Sequence, residues 1–334
     1  MNEMNYGIII LNWNGASDTV ACLKSIFNGK NSGRVIVIDN GSSDDSLSRI
    51  NTMLREHEFT PKRLTGTDLP SHDEPARVFI VEAEENLGFA AGCNLGSRVA
   101  EAIGCEIIVF LNNDTIIEFS ALDSIVQRLQ SDGQCFVCLP MITIYGSDRI
   151  WNCGGVIYKF GFRRYYMANQ LRADGARRKE IHCSFFTGCC FSIRTVDFLA
   201  RNGFSERFFF GEEDFELALW MKERKLSAVC LTSAVVQHKV GATVERVANI
   251  RTQSKVFVHY LNRFIHMRLR LGSLRWWMYI AAYLPYVLFL LWRTGEFNVT
   301  SLAGFVRNLL VRARTMNSVT RADFEAVMSG KLQG

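Results

Sequence analysis

The amino-acid sequence predicts an α/β fold: a mainly parallel sheet flanked by helices on both faces, with a helical extension at its C-terminal end. Short apolar runs rich in β-branched residues alternate with segments of helical periodicity as far as Asp114, which is typical of parallel strands joined by crossover helices. Each apolar run stops at a cluster of short polar residues, where such folds bind their ligands. Beyond about residue 251 the sequence becomes basic and aromatic, which indicates a separate extension.

The predicted elements follow one another in a regular order. Buried strands are predicted at residues 6–11, 35–38, 78–81 and 107–111, because each is a short, continuous apolar run. Amphipathic helices are predicted at residues 18–27, with Ser17 or Asp18 as the N-cap, and at 46–54, 92–103 and 213–225. Residues 183–193 and 228–237 are predicted as further strands, and residues 56–77, with three prolines, as a surface insertion.

Composition and charge narrow the class of protein. With 48% hydrophobic residues, 21% charged residues and five prolines, the chain is globular rather than disordered, collagenous or coiled-coil. Residues 251–334 hold 12 of the 38 basic and 3 of the 33 acidic side chains, so they carry a charge of +9 and residues 1–250 carry −4. A basic, aromatic tail suits an anionic membrane surface, whereas the acidic remainder excludes nucleic acid as a partner.

Two further features bear on the compartment. The N-terminal residues lack the basic region and cleavage pattern of a secretory signal, so we expect a cytoplasmic protein. The ten cysteines are expected to be reduced and structural, because several lie in apolar runs. Cys135 and Cys138 have CxxC spacing, but no second CxxC pair or paired histidines complete a zinc site.

The tail contains two apolar segments. Residues 276–292 are uncharged and lie between Arg275 and Arg293, but as a helix they extend about 25 Å, short of the ~30 Å hydrocarbon core of a bilayer. Residues 297–314 place their apolar side chains on one helical face and their arginines elsewhere, which suits the headgroup region. We therefore expect peripheral or shallowly embedded attachment to the cytoplasmic face of a membrane. The alternative is that both segments pack on the sheet domain or on a second subunit in a homodimer.

Three polar residues at element ends could carry chemistry. Asp114 follows an apolar strand and two asparagines, where it can bind a hard divalent cation or cap the next helix. Asp214 ends the cluster 211–214 at the start of a helix, and the apolar residues 208–210 lie just upstream of that cluster; such an environment raises the pKa of a carboxyl group and fits a general base, and a helix cap is the alternative. His238 ends a strand and is either a structural histidine or a metal ligand.

The order of these motifs resembles that of the inverting family 2 glycosyltransferases of GT-A fold, especially their rhamnosyltransferase-like branch. The matching segments are residues 8–15 (IIILNWNG), 37–42 (VIDNGS), 86–94 (NLGFAAGCN), 111–114 (LNND), 187–189 (TGC), 213–217 (EDFEL) and His238. The resemblance covers about residues 4–245. It implies a Rossmann-like sheet, a dTDP- or UDP-linked sugar donor, a glycan or lipid-linked acceptor, and Mg²⁺ or Mn²⁺ as the cofactor.

The resemblance also implies a role for each matching residue. Asp39 is expected to bind the nucleobase, and the remaining donor contacts are Asn12, Asn86, Gly88, Asn94, Asn112 and Asn113. Asp114 and His238 are the expected metal ligands. Asp214 is the expected catalytic base, with Glu213 beside it. The chain departs from the family pattern at Asn112, which replaces the first acid of the metal-binding motif, and at Glu216 and Trp220, where relatives have aspartate and arginine.

The resemblance predicts a catalytic domain at residues 1–250, and the basic, aromatic composition of residues 251–334 predicts a membrane-associated helical tail. It implies transfer of a sugar, with rhamnose the leading candidate, with inversion at the anomeric carbon during synthesis of a surface polysaccharide. A catalytically silent nucleotide-sugar-binding or scaffold protein is the alternative. An NAD-dependent oxidoreductase is excluded, because residues 12–15 (NWNG) do not form the glycine-rich turn that a dinucleotide needs after the first strand.

Overall fold

A computed structural model describes residues 5–29, 31–158, 160–239, 252–293 and 299–330. The contacts divide the chain into two compact units. The sheet unit comprises Met1–Tyr158, Phe162–Ser205 and Glu213–Arg246, and the C-terminal unit comprises Lys159–Gly161, Glu206–Glu212 and Val247–Gly334. The boundary predicted after residue 250 lies outside the described residues.

All strands in the described part of the chain belong to the sheet unit. They are β1 Tyr6–Asn12, β2 Arg34–Asp39, β3 Lys62–Thr65, β4 Val78–Glu82, β5 Ile107–Asn112, β6 Thr115–Ile117, β7 Cys135–Ile144, β8 Ile150–Asn152, β9 Gly155–Ile157, β10 Arg163–Tyr165, β11 Glu180–Cys183, β12 Cys190–Arg194 and β13 Ser227–His238. Strands β9 and β10 form a separate antiparallel hairpin. The other strands share one sheet.

Helices occur in both units. Those of the sheet unit are α1 Ala16–Asn28, α2 Ser46–Glu56, α3 Phe89–Ala102, α4 Ala121–Ser131, α5 Arg172–Ala176, α6 Thr195–Ala200 and α7 Glu213–Glu223. Those of the C-terminal unit are α8 Thr252–Leu271, α9 Ser273–Arg293, α10 Val299–Thr315 and α11 Arg321–Met328.

The main sheet has the strand order β11-β13-β7-β12-β5-β1-β2-β4-β3, with β6 paired to β13 and β8 to β7. The strands β5, β1, β2, β4 and β3 run parallel to one another, and β7 runs parallel to β13. Antiparallel β12 joins these two groups. The predicted α/β fold with a mainly parallel sheet is therefore confirmed.

The sheet is buried on both faces. Ile9 and Ile38 belong to the apolar cluster that includes helix α3, whereas Ile8 and Val37 belong to the cluster that includes α1, α2 and α4. Because alternate side chains of one strand enter opposite clusters, the strands read as continuous apolar runs in the sequence. All ten cysteines are buried and free.

The structure differs from the predicted elements in three places. Strand β3 lies inside residues 56–77, which were predicted to be a surface insertion, and it pairs with β4 at the edge of the sheet. Residues 183–193 contain the end of β11 and the start of β12, separated by a loop, rather than one strand. Helix α1 begins at Ala16 with Gly15 as its N-cap, so Ser17 and Asp18 lie in its first turn.

Helix α3 approaches β1 closely because it has glycines on its inner face. A Cβ atom at Gly96 would lie 2.6 Å from Cγ2 of Ile9, and one at Gly92 would lie 2.8 Å from Cδ2 of Leu11. The side chains of β1 therefore occupy the space that larger helix residues would fill. This contact fixes the height of α3 above the sheet.

We expect the substitution Gly96→Val to lower the free energy of unfolding by about 2 kcal/mol or more. Overpacking of a closed core costs about 1–3 kcal/mol. The helix propensity of a β-branched residue is too low to offset this cost fully. Urea denaturation followed by circular dichroism measures the change. The matched control is Gly133→Val, because a Cβ at Gly133 meets no atom within 4 Å. Equal losses in the two variants would contradict this packing.

Candidate active site

The polar ends of three parallel strands meet at the carboxyl edge of the sheet. In the register of the parallel strands, Asn12 at the end of β1 lies opposite Asp39 at the end of β2, and Leu11 lies opposite Asn112 at the end of β5. The residues predicted to bind the donor therefore gather where parallel α/β sheets hold their ligands.

The carboxylate of Asp39 is held by its neighbours. Nδ2 of Asn12 donates to Oδ1 of Asp39 at 2.7 Å and to Oγ of Ser42 at 3.0 Å, and the hydroxyl of Thr19 donates to Oδ1 of Asn12 at 2.7 Å. The backbone N–H of Ser42 donates to Oδ2 of Asp39 at 3.2 Å. Both amide hydrogens of Asn12 are thus used inside the protein, so Asn12 orients Asp39 before any ligand arrives.

A second network surrounds Asn40, which the sequence analysis did not select as a site residue. Its Nδ2 donates to Oδ1 of Asn86 at 3.0 Å and to the carbonyl of Gly88 at 3.1 Å, while the N–H of Leu87 donates to its Oδ1 at 2.9 Å. The N–H of Gly88 also donates to Oδ1 of Asn86. Asn40 therefore joins the end of β2 to the loop before α3. The feature of the sequence that could have identified Asn40 is its position directly after Asp39.

Two glycines in these loops have conformations that favour glycine. Gly88 has φ = +84° and Gly41 has φ = +68°. A Cβ atom at Gly41 would lie 2.6 Å from the carbonyl carbon of Glu85 and 2.7 Å from its Cα. The turn after β2 and the loop before α3 therefore touch through their backbones.

Asn94 is engaged elsewhere. Its Nδ2 donates to the carbonyl of Phe204 at 2.9 Å, and the N–H of Phe204 donates to its Oδ1 at 2.8 Å. Both ends of this buried amide thus bind one residue of the chain after α6. Asn94 therefore anchors the chain after α6, and its direct contact with the sugar donor stays a prediction.

The two predicted metal ligands lie side by side. Strand β13 pairs with β6 so that His238 is opposite Thr115, and this pairing places Nε2 of His238 3.2 Å from Oδ1 of Asp114. Both side chains are buried. Within the described residues, Oδ1 of Asp114 and Nδ1 of His238 have no hydrogen-bond partner. The edge of the Trp151 ring packs against the His238 ring, with the centroids 4.7 Å apart.

This pair fits a divalent cation that shares its coordination shell with a diphosphate. Burial lowers the pKa of His238, but Cys189 and the Asp114 carboxylate raise it more, to about 10. The same negative field favours a metal cation, and the unpartnered Oδ1 of Asp114 is a suitable hard oxygen ligand. No group of three or more candidate ligand side chains occurs in the described residues. Phosphate oxygens or water would therefore complete the shell.

The other residues of the predicted metal motif are anchored to α1 and to the loop before β12. Nδ2 of Asn113 donates to Oγ1 of Thr19 at 2.9 Å, and the N–H of Asn112 donates to the carbonyl of Cys189 at 2.8 Å. Asp18, once considered as a helix cap, forms a 2.7 Å ion pair with Lys239. Lys239 directly follows His238, and its backbone N–H donates to the carbonyl of Asp114 at 2.9 Å.

The predicted base lies in the first turn of α7. The N–H of Gly188 donates to Oδ2 of Asp214 at 3.3 Å, so the loop between β11 and β12 contacts this carboxylate. The preceding residue Glu213 is buried, and its charge adds to burial in raising the pKa of the Cys93 thiol. The buried hydroxyl of Thr187, next to Gly188, has no hydrogen-bond partner among the described residues.

Two sequence departures on α7 have packing partners. Glu216 accepts from Nη2 of Arg201 at 2.8 Å. The ring of Trp220 lies beneath the guanidinium groups of Arg201, at 5.1 Å, and Arg224, at 4.4 Å. These contacts explain both residues without a ligand.

Comparisons with solved structures find proteins of similar fold and low sequence identity. The crystal structure of GalNAc-T7 with UDP, GalNAc and Mn²⁺ matches with a TM-score of 0.52 and 16% identity over 71% of this chain, which spans 44% of that chain. The mannosyltransferase PcManGT from Pyrobaculum calidifontis, in complex with GDP-Man and Mn²⁺, matches with a TM-score of 0.51 and 15% identity over 94% of this chain and 86% of its own. S. aureus TarS 1–349 matches with a TM-score of 0.50 and 11% identity over 98% of this chain and 82% of its own.

At these identities the structural matches show a common GT-A fold. A search of curated protein sequences finds no match. The family model described as glycosyl transferase family 2 matches residues 7–199, which is more than half of the chain. The matched residues include Asp39, Asp114 and the loop at Gly188. This chain belongs to glycosyl transferase family 2.

Proposed function

We propose that this family 2 glycosyltransferase is a metal-dependent, inverting enzyme that moves a sugar from a nucleoside diphosphate to a glycan or lipid-linked acceptor. The pairing of Asp114 with His238 at 3.2 Å, with both side chains buried, is the observation that carries the proposal. A cation held there by these two residues would neutralise the diphosphate as it leaves.

The other residues of the site each have a role in this proposal. Asp39 accepts a hydrogen bond from an imide or amide N–H of the nucleobase, and Asn12 holds it in place for that contact. Asn86 has an Nδ2 group without an acceptor among the described residues, so it can donate to the donor nucleotide. Gly88 lets the backbone approach the ligand.

The chemical step is assigned to Asp214. Its carboxylate accepts the proton of an acceptor hydroxyl, whose oxygen forms a bond to the anomeric carbon while the bond from that carbon to the diphosphate breaks. Attack from the face opposite the leaving group inverts the anomeric configuration. Gly188 fixes one oxygen of the carboxylate through its N–H.

The donor is proposed to be dTDP- or UDP-linked, with rhamnose as the leading sugar, and the acceptor to be a growing surface glycan. The neighbouring structures contain UDP or GDP-Man with Mn²⁺, which supports a nucleotide-sugar donor and a divalent cation as a class. A thermal-shift panel of nucleotide sugars, each with and without Mn²⁺, identifies the donor, because a ligand of the native state raises the melting temperature. Binding without nucleotide release across a panel of acceptors would favour the silent scaffold instead.

The first prediction from the proposed function concerns the base. We expect Asp214→Asn to lower kcat for transfer by about 10²–10⁴-fold while donor binding changes little, because the amide cannot accept the acceptor's proton. Nucleoside diphosphate release measures kcat, and calorimetry measures donor binding. Asp73→Asn is the control, since Asp73 is a fully exposed acid. Full activity of Asp214→Asn would overturn the assignment.

The second prediction concerns the cation. Since the loss of a residue that only supports a metal ligand costs about 10–100-fold in affinity, we expect Asp114→Asn to weaken Mn²⁺-dependent binding of UDP and dTDP by at least tenfold. Binding of the nucleotides without Mn²⁺ should change much less. Titration calorimetry with and without Mn²⁺ separates the two effects. Equal Mn²⁺ dependence in the variant and the parent chain would contradict the site.

Helix α9 supports the proposed membrane attachment. Of the described helices, it is the one long and apolar enough to cross a membrane, yet one third of its most apolar window is buried inside the protein. Its buried side chains are Trp276, Tyr279, Ile280, Tyr283, Val287 and Leu291, and its exposed large apolar side chains are Leu274, Trp277, Met278, Tyr286, Phe289 and Trp292. A helix that packs through one face and presents aromatic residues on another suits the plane of the membrane interface.

We therefore propose that residues 251–334 attach the enzyme to the cytoplasmic face of a membrane through α9. Arg275 and Arg293 lie near the two ends of the helix, where they can meet lipid phosphates, each contributing about 1 kcal/mol. A lipid-linked acceptor is confined to the same surface, so attachment raises its effective concentration at the active site.

The third prediction tests the exposed face of α9. We expect Trp277→Ser/Phe289→Ser/Trp292→Ser to lower the affinity for vesicles of phosphatidylglycerol and phosphatidylcholine by at least tenfold, because burying one such side chain contributes about 1.5–3 kcal/mol. Vesicle flotation measures binding. The matched control is Phe119→Ser, since Phe119 is 85% exposed on the sheet unit. Flotation of the triple variant at the parent level would contradict the proposal.

A further inference from the structure

A buried ion pair joins the segment before α7 to helix α8. Nε of Arg263 donates to both carboxylate oxygens of Glu212, at 2.8 and 3.0 Å. The Arg263 side chain is 1% exposed and the Glu212 side chain 2%. His266, one turn further along α8, places its Nδ1 3.7 Å from the same carboxylate. Both partners belong to the C-terminal unit.

Stability alone does not account for this pair. Burial raises the pKa of Glu212, but the charge and hydrogen bonds of Arg263, together with the charges of His259 and His266, lower the pKa more, to below its usual value, so the pair is ionised. Replacing a buried ion pair by apolar residues of similar volume is often neutral or stabilising, because removing two charges from water offsets their attraction. What the pair supplies is a fixed geometry between two charged groups.

The backbone at this point is held in an unfavourable conformation. Gly211 has φ = +88° and Glu212 has φ = +83°, and the second of these is a region that residues with a side chain seldom adopt. Such conformations persist where the surroundings determine them, and they cluster at functional sites. Here the ion pair with Arg263 holds the carboxylate of Glu212 and thereby its backbone conformation.

The rest of the segment is tied to the same unit. Nδ2 of Asn262, the neighbour of Arg263, donates to the carbonyl of Phe210 at 2.8 Å. The N–H of Phe209 donates to the carbonyl of Val319 at 2.9 Å, and the rings of Phe209 and Phe210 pack against Phe324. The three phenylalanines that the sequence suggested as surroundings for the base therefore pack in the C-terminal unit.

We propose that Glu212 and Arg263 are positioning residues for Asp214. The inference rests on the proposed role of Asp214 as the base. Glu212 immediately precedes α7, and only Glu213 separates it from Asp214 along the chain. Because the ion pair holds the backbone of Glu212, it also restrains the backbone of the next two residues, Glu213 and Asp214. When the pair is broken, the strain at Glu212 relaxes and the first turn shifts.

The experiment compares Arg263→Gln and Arg263→Lys in the full chain with a matched control. The control is Arg128→Gln, which removes another bidentate arginine–glutamate contact, with Glu180, in the sheet unit. Hydrogen exchange of the backbone amides at residues 211–216 is the first readout. We expect faster exchange there in Arg263→Gln, unchanged exchange in β1 and β2, and no effect of the control.

Kinetics with dTDP-rhamnose or UDP-glucose and Mn²⁺ is the second readout. Because a small misplacement of a catalytic group can cost about 100-fold, we expect kcat of Arg263→Gln to fall by roughly that factor with KM for the donor within about twofold. We expect kcat of Arg263→Lys to lie between that of the parent chain and that of Arg263→Gln, because lysine keeps the charge but lacks the planar guanidinium group. If Arg263→Gln does not fold, Arg263→Lys replaces it in every comparison.

The outcomes separate the inference from the proposed function. Unchanged exchange at residues 211–216, or a rise in KM that accounts for the whole loss of activity, would overturn the positioning role. If the parent chain releases no nucleotide from either donor, the proposed function fails for those donors. The exchange result then decides on its own whether the pair fixes the start of α7.

Discussion

The register of β1 between its two parallel neighbours is the constraint on which the rest of the structure depends. A slip of one residue would turn every side chain of β1 to the other face of the sheet. Both faces are buried, so apolar burial by itself discriminates weakly between the two registers. Two features remove the ambiguity: Ile9 and Leu11 face the glycines of α3, and the amide of Asn12 reaches Asp39 in the next strand. The same contacts that align the strands therefore assemble the ligand edge.

Most of the polar residues at that edge bind one another. Asn12, Asn40 and Asn113 use their side-chain amides to connect β1, β2, β5 and the loops that follow them. The groups left with unused capacity are few, and they include Oδ1 of Asp114 and the hydroxyl of Thr187. A rigid frame of amides around a small number of free oxygens is a preorganised site, in which little reorganisation accompanies binding.

The sequence was sufficient for the buried strands and for the position of the site, because continuous apolar runs followed by polar clusters need no knowledge of distant contacts. It missed strand β3, whose residues Lys62 and Arg63 are exposed at the edge of the sheet and follow no apolar pattern. The predicted N-cap of α1 was wrong: Gly15 is the N-cap, and Asp18, in the first turn, pairs with Lys239, a partner that lies 221 residues away. The contact of Glu212 with Arg263 could not be predicted either, because the two residues are distant in the sequence. Glu212 and Glu213 are adjacent acids before a helix, and the sequence does not show that only Glu212 belongs to the C-terminal unit. The roles assigned to the site residues stay predictions.

The glycine at position 41 limits how this site can diversify in evolution. Its backbone meets that of Glu85 so closely that any side chain would force the turn and the loop before α3 apart. In the proposed donor site, mutations that alter the choice of nucleotide would have to leave this contact intact. Ser43 is exposed and bonds Asn14 through its backbone N–H, so its side chain can vary without disturbing that bond. New donor preferences would arise by exchange at such rim positions, while the amide frame beneath them stays the same.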